Sequence, residues 1–204
     1  MIRPERPSVV VAHRQSRGRG RQGSVWLNAP RAVAVSVGIR LQWDQSDWPL
    51  VPLVAGVVAR RKLPGGVALK WPNDLLVGGS KVGGILTEAA DGDVVVGMGL
   101  NLFWADVSVG FGALMSLDPG EEAGPSLAIE WAEALIDCLN GPADDWPRQE
   151  YREGCATLGQ EITWEPDGGG IAVDIAPDGA LVVEVAPGER VSLRSGEVRH
   201  VRGT

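Results

Sequence analysis

Arg14-Gln15-Ser16-Arg17-Gly18-Arg19-Gly20-Arg21-Gln22-Gly23, followed by Trp26, and Lys70-Trp71-Pro72-Asn73-Asp74, followed by Lys81-Val82-Gly83-Gly84-Ile85-Leu86, are the two stretches from which the rest of this chain can be read. In the first, Arg19 and Arg21 sit on a backbone thinned by Gly18, Gly20 and Gly23. Glycine lets such a loop turn freely and lie close to a ligand. Arginine presents a planar fork of donors that matches carboxylate and phosphate oxygens. The pattern describes a loop that holds a small anion, read here as an acyl carboxylate meeting a nucleotide phosphate.

Working outward, 204 residues at 44% apolar can bury a real core, enough for one ordinary domain and a small one. The net charge of −7 is uneven: residues 1–21 carry six Arg and one Glu, while the remainder is acidic. An acidic body argues against general nucleic-acid binding. Two cysteines, Cys138 and Cys155, make no disulfide framework and are read as free thiols in a reducing cytoplasm. No run of about 18 apolar residues is present to span a membrane, and residues 1–7 lack the apolar stretch of a signal peptide.

Periodicity predicts the elements. Residues 8–13 read as a short buried strand around Val9, Val10 and Val11, and residues 32–40 as a second strand with Val33, Val35, Val37 and Ile39 on one face. A helix is predicted over 49–62, ending at Leu63-Pro64-Gly65-Gly66. Residues 67–71 form a strand that Pro72 confines to an edge or turn. A hairpin joins 75–77 to 81–88, and a strand with Gly97 and Gly99 covers 93–101. Leu127, Trp131, Leu135 and Cys138 mark an amphipathic helix over 127–139, and a shorter helix covers 146–153. Beyond Thr157, five short β-like runs at 161–164, 171–175, 181–185, 191–193 and 197–201 alternate with glycine turns. They suggest a small closed or half-open barrel and a boundary near residue 155.

Each candidate residue has a plainer reading. Arg19 and Arg21 could make a solvated basic turn or an RNA-binding stretch, although RNA binders of this type are longer and repeated. Lys81 could be a hairpin charge facing water; Gly83-Gly84 after it and Asn73-Asp74 before it favour a lysine that neutralises charge on an α-phosphate. Asn73 and Asp74 could be turn residues, or could contact ribose, phosphate or Mg²⁺. Trp26 is core packing or the wall over an apolar ring, and Asn101 is a strand end or a ligand contact. His13, His200, Cys138 and Cys155 show no partner spacing and are read as structural.

The two opening segments, in this order, resemble the biotin protein ligase family (biotin–[biotin carboxyl carrier] ligases). Gly97-Met98-Gly99-Leu100-Asn101 resembles the family's glycine-punctuated strand ending in Asn, and Ser192-Leu193-Arg194-Ser195-Gly196-Glu197 the close of its C-terminal SH3-like domain. The likeness runs from Val9 to the end. It implies an α+β fold: a mixed sheet flanked by helices, a class II synthetase-like catalytic domain over 1–155, and an SH3-like β-barrel over 156–204. It implies an ATP-dependent ligase that makes biotinyl-5′-AMP from biotin and MgATP, then passes biotin to a lysine of the biotin carboxyl carrier protein of acetyl-CoA carboxylase. Carried over by position, Gln15, Arg19, Gly20, Arg21, Lys81 and Trp26 contact biotin. Arg19, Arg21, Asn73, Gly84 and Asn101 lie on the nucleotide side, Lys81 and Arg21 are catalytic, and Asp74 is the candidate Mg²⁺ contact. The expected state is a cytoplasmic monomer or weak homodimer, with no partner nucleic acid or membrane.

The chain departs from the family pattern at three points. Nothing before Val9 matches the family's Ser/Thr-Thr-Asn-type biotin segment, and the helix-turn-helix of some members has no counterpart. The arginine loop reads Arg17-Gly18 where Ala-Gly is usual, and Gln22 where Arg is usual. Two alternatives therefore stand beside the ligase: a catalytically impaired relative acting as a binding module, and a lipoate or octanoate transferase with a long apolar tunnel. On the anion-loop reading, Arg21→Gly speeds dissociation of the adenylate without lowering the melting temperature. A fall like that of a core mutant in a thermal melt would make the loop structural.

Overall fold

A computed structural model describes residues 7–20, 26, 28–90, 93–105, 111–196 and 198–201. Six strands form one sheet: β1 (Ser8–Ala12), β2 (Arg31–Arg40), β3 (Ala68–Lys70), β4 (Asp74–Val77), β5 (Ser80–Ala90) and β6 (Asp93–Phe103), in the order β1-β2-β6-β5-β4-β3. All ladders between them are antiparallel. Parallel pairing is confined to the isolated bridges Leu69–Cys155 and Lys81–Phe111.

The alternation of β2, β5 and β6 gives this sheet two unlike faces. Val33, Val35, Val37 and Ile39 of β2, with Val94, Val96, Met98 and Leu100 of β6, are buried beneath α1 (Val51–Lys62) and α2 (Ala123–Leu139). Between them Ala34, Ser36, Gly97 and Gly99 are small and face the other way. Register brings them into rows: Ala34 pairs with Gly99 and Gly99 with Gly84, while Ser36 pairs with Gly97 and Gly97 with Leu86. The result is a trough across three strands, nearly bare of side chains. Pro72 follows β3, the edge strand, as its missing N–H requires.

Five further strands, β7 (Glu161–Trp164), β8 (Gly168–Ile175), β9 (Leu181–Ala186), β10 (Glu189–Leu193) and β11 (Val198–His200), make a second antiparallel sheet in the order β10-β9-β8-β7-β11. No pairing of β10 with β11 occurs among the described residues, so this sheet is half-open rather than closed. It joins the first through α3 (Arg148–Gly154). Arg148 and Arg152 reach Asp174 at 3.1 and 2.6 Å, and Arg148 also donates to the Ile175 carbonyl.

The abundance of tryptophan has a physical role in this arrangement. The indole N–H groups of Trp43, Trp71, Trp131 and Trp146 donate to the carbonyls of Gly141, Gly179, Ala55 and Pro177, all distant in sequence. Each ring fills core volume while its one polar atom ties a remote backbone in place.

Three sequence expectations are corrected. β1 is not buried: Val9 and Val10 are 41% and 64% exposed, because β1 is an edge strand with a neighbour on one side only, and α2 covers it in part, with Val11 packed against the core. α2 begins at Ala123 rather than Leu127, since Gly124 and Pro125 fall in its first turn, where proline is tolerated. Gly168-Gly169-Gly170, expected as a turn, opens β8 because the Trp164 indole occupies the side-chain space of Gly168.

Trp131, fully buried and hydrogen-bonded to Ala55, anchors α2 on α1. Trp131→Ala should cost about 3–5 kcal/mol in urea unfolding; a loss under about 1 kcal/mol would show that the helices pack without it.

Candidate active site

A cavity of about 530 Å³ lies over the trough, within the usual range for a small-molecule site. Its floor is Ala34, Ser36, Gly84, Gly97 and Gly99. One wall is the turn after β3, with Lys70, Asn73 and Asp74; another is Gln15, Arg17, Arg19 and Gly20 of the loop after β1. Val198 of the second sheet completes the rim.

Trp26 covers the floor. A Cβ on Gly99 would lie 3.2 Å from the indole, so only glycine leaves the ring its seat there. The Lys81 ammonium stands 5.8 Å from the Trp26 ring centroid, a cation–π distance. On its other side Lys81 meets Asp74 at 2.5 Å, and Lys70 approaches the same carboxylate at 4.0 Å. Phe111 is held against Lys81 by backbone pairing, with the Gly112 N–H donating to the Lys81 carbonyl at 2.8 Å.

Asn73 binds the turn to β5. Its side-chain amide donates to the Ile85 carbonyl at 2.8 Å, and its own carbonyl accepts the Ile85 N–H at 2.9 Å. Among the described lining residues, four cationic side chains (Arg17, Arg19, Lys70, Lys81) face two carboxylates (Asp74, Glu88), so the cavity is poised for an anion although the protein is acidic overall.

Gln15, Arg19, Gly20, Trp26, Asn73, Asp74, Lys81 and Gly84 thus share one cavity; Arg21 lies outside the described residues. Asn101 is not on the cavity wall. It is fully buried, its Oδ1 accepts the Ala29 N–H at 2.9 Å, and its amide nitrogen has no partner among the described residues. Its geometry is that of a residue pinning the chain entering β2. Ser36, Phe111, Glu88 and Val198 were not singled out from sequence. Ser36 and Ala34 were legible in the alternation of β2, had its second face been followed; Phe111 and Val198 arrive through contacts that no local pattern announces.

No cluster of three or more His, Cys, Asp or Glu that could hold a metal occurs among the described residues. Asp74, the candidate contact for Mg²⁺, is committed to two lysines. Mg²⁺ asks for carboxylates free to bind it, and the Asp74 carboxylate is turned to lysine in this structure.

A small-residue floor, an indole cover and a lysine at the seam make a cavity suited to a ligand with a flat body and an anionic end. The model of the biotin/lipoate A/B protein ligase family matches residues 2–101, and that of the biotin protein ligase C-terminal domain residues 157–201. The biotin–[acetyl-CoA-carboxylase] ligase of Mycobacterium tuberculosis is 34% identical over 95% of this chain and 79% of its own length; that of Paracoccus denitrificans is 29% identical over 89% and 86%. The Aquifex aeolicus biotin protein ligase in complex with biotin and ATP superposes with a TM-score of 0.76 at 20% identity, covering 96% of this chain and 89% of that one. The chain belongs to the biotin protein ligase family.

Asn101→Ala should leave the Ala29 N–H buried and unpaired, costing about 1–3 kcal/mol in denaturant unfolding. An unchanged stability with weakened nucleotide binding would return Asn101 to the site.

Proposed function

We propose that this protein attaches biotin to a lysine of the carrier protein of acetyl-CoA carboxylase by way of biotinyl-5′-AMP. The observation that carries the reading is the registered trough of Ala34, Gly99 and Gly84, roofed by Trp26 and closed at one end by Lys81. A compact fused bicycle, one ring a cyclic urea and the other a thioether, with a flexible acid tail needs a smooth floor, an aromatic cover and a cation at the carboxylate. A lipoyl tunnel has no need of the charged turn.

In the first step a biotin carboxylate oxygen attacks the α-phosphorus of ATP and pyrophosphate departs. The two reactants are both anionic, so their approach is governed by fixed positive charge and orientation. Lys81, steadied by Trp26 and Asp74, is the group assigned to the carboxylate and the α-phosphate. An arriving anion replaces part of the Asp74 contact, so the lysine needs no rearrangement to meet it. Arg19, with Arg21, is assigned to the adenylate's phosphate; Gln15 and Gly20 to biotin; Asn73 and Gly84 to the nucleotide. Any Mg²⁺ would arrive with the phosphates as part of the substrate. In the second step the carrier lysine's amine attacks the acyl carbon and AMP leaves. Trp26, lying over the trough, also limits access of water to the mixed anhydride.

The same reading divides the chain into a catalytic unit of residues 1–155 and a C-terminal unit of 156–204, acting in the cytoplasm. Among the described residues no helix is long and apolar enough to cross a membrane.

Lys81→Ala should reduce biotin-dependent pyrophosphate–ATP exchange at saturating ATP by about a hundredfold, the usual loss when one preorganised donor is removed. An unchanged rate would take Lys81 out of the mechanism, and absence of exchange in the unmodified protein would sink the ligase reading.

A further inference from the structure

Residues 69–74 carry Lys70, Asn73 and Asp74 to the cavity, yet much of what holds them comes from the C-terminal part of the chain. The Ala156 N–H donates to the Leu69 carbonyl at 2.7 Å, and the Trp71 indole donates to the Gly179 carbonyl at 3.0 Å. The Trp71 backbone N–H donates to the Thr157 hydroxyl oxygen at 3.0 Å. Thr157 is fully buried, and its hydroxyl lies 3.2 Å from Nε2 of half-buried His200 on β11. A chain of two hydrogen bonds therefore runs from His200 through Thr157 to the first residue of the catalytic turn.

We propose that His200 is a positioning residue: by accepting the Thr157 hydroxyl proton it sets the Trp71–Asp74 turn, and its protonation releases that setting. The proposal rests on the ligase reading for its consequence in catalysis, but not for the link itself. The Thr157 oxygen must accept from the Trp71 N–H, which leaves its own hydrogen to donate. Neutral imidazole with the proton on Nδ1 offers Nε2 as the acceptor, and every group is satisfied. Imidazolium has donors on both nitrogens. Nε2–H would then donate to the second lone pair of the Thr157 oxygen, and the hydroxyl hydrogen, losing His200 as its acceptor, would turn toward the neighbouring Cys155 sulfur, reorienting the oxygen that holds Trp71.

The charged surroundings point the same way. Lys70 on β3 and Asp74 on β4 face His200 from the site. Burial and then Lys70 hold the imidazole's pKa below its ordinary 6.5, with Asp74 opposing. Cys155, beside Thr157 and the Trp71 amide, is pushed up by burial and stays a neutral thiol. Arg199, the neighbour on β11, reaches Glu165 instead. Because the folded value is the lower one, the unfolded chain takes up the proton first. This contribution to stability is complete above about pH 6.5 and is lost as pH falls toward the folded pKa.

The full-length protein, labelled with ¹⁵N, tests this between about pH 5 and pH 8, the range in which histidine titrates. The Trp71 amide resonance is expected to follow the titration of the His200 Cε1 proton, and to stop doing so in His200→Gln, whose Oε1 keeps an acceptor without titrating. In parallel, kcat for pyrophosphate exchange should fall on the acid side in the unmodified protein, and that limb should vanish in His200→Gln. His200→Leu, lacking an acceptor, should lose about tenfold or more in kcat at neutral pH, as small misplacements of a reacting geometry do, and His200→Gln should restore it. A Trp71 amide indifferent to His200 overturns the proposal. So does an acid limb that persists in His200→Gln. A Trp71 amide that titrates in a protein showing no exchange at any pH upholds the link and sinks only the ligase reading.

Discussion

The antiparallel register of β2, β6 and β5 is the constraint on which the site depends. It sets Ala34 opposite Gly99 and Gly99 opposite Gly84, so three strands contribute almost no side chain to one patch of an otherwise ordinary sheet. A slip of one residue in any of the three would turn buried valines into the cavity and glycines into the core. The core side therefore enforces the site side. Val33, Val35, Met98 and Ile85 can be buried beneath the helices only in the phase that leaves the trough bare.

Above that floor, the polar groups hold one another in place. Lys81 has an indole on one side and a carboxylate on the other, which keeps a flexible ammonium near the seam where acid and phosphate would meet. Asp74 in turn lies between two lysines. The turn bearing it is hydrogen-bonded forward to β5 through Asn73, and outward through Leu69 and Trp71 to Ala156 and Thr157 ahead of β7 and to Gly179 in the β8–β9 turn. The small C-terminal sheet thus lies close to the site although, among the described residues, only its Val198 lines the cavity. The chain leading into that sheet and its β8–β9 turn supply hydrogen bonds to a segment that an edge strand alone would leave half-paired.

Sequence periodicity went far toward these elements. β2 and β6 were legible because one face is continuously β-branched or aliphatic, and α1 because Pro64-Gly65-Gly66 stops it. β8, β9 and β10 were legible because the turns at Pro177-Asp178-Gly179 and Pro187-Gly188 separate short apolar runs. The failures have physical causes. Val9-Val10-Val11 looks buried because β-branched residues suit any strand, whereas burial depends on where the strand falls in the sheet. Gly168-Gly169-Gly170 looks like a turn until Trp164 is seen to occupy the missing side chain's place. Asn101 looks like a ligand contact at a strand end, yet its partner, Ala29, lies seventy-two residues earlier. His200 and Thr157 carry no local signal at all, since their relation to Trp71 is wholly tertiary.

Residue types alone pointed to an anion site in a glycine-thinned arginine loop and a lysine-bearing hairpin, because charge, donor geometry and backbone freedom are properties of the residues themselves. The same holds for the two families of strands and the helices between them, whose hydrophobic periods are written along the chain. Tertiary structure alone decided which face of the sheet is the floor, that Trp26 lies over Gly99, that Asp74 turns to Lys81, and that a distant histidine stands behind the turn. Those are distances between residues far apart in sequence, and they exist only once strand pairing and burial have closed the fold.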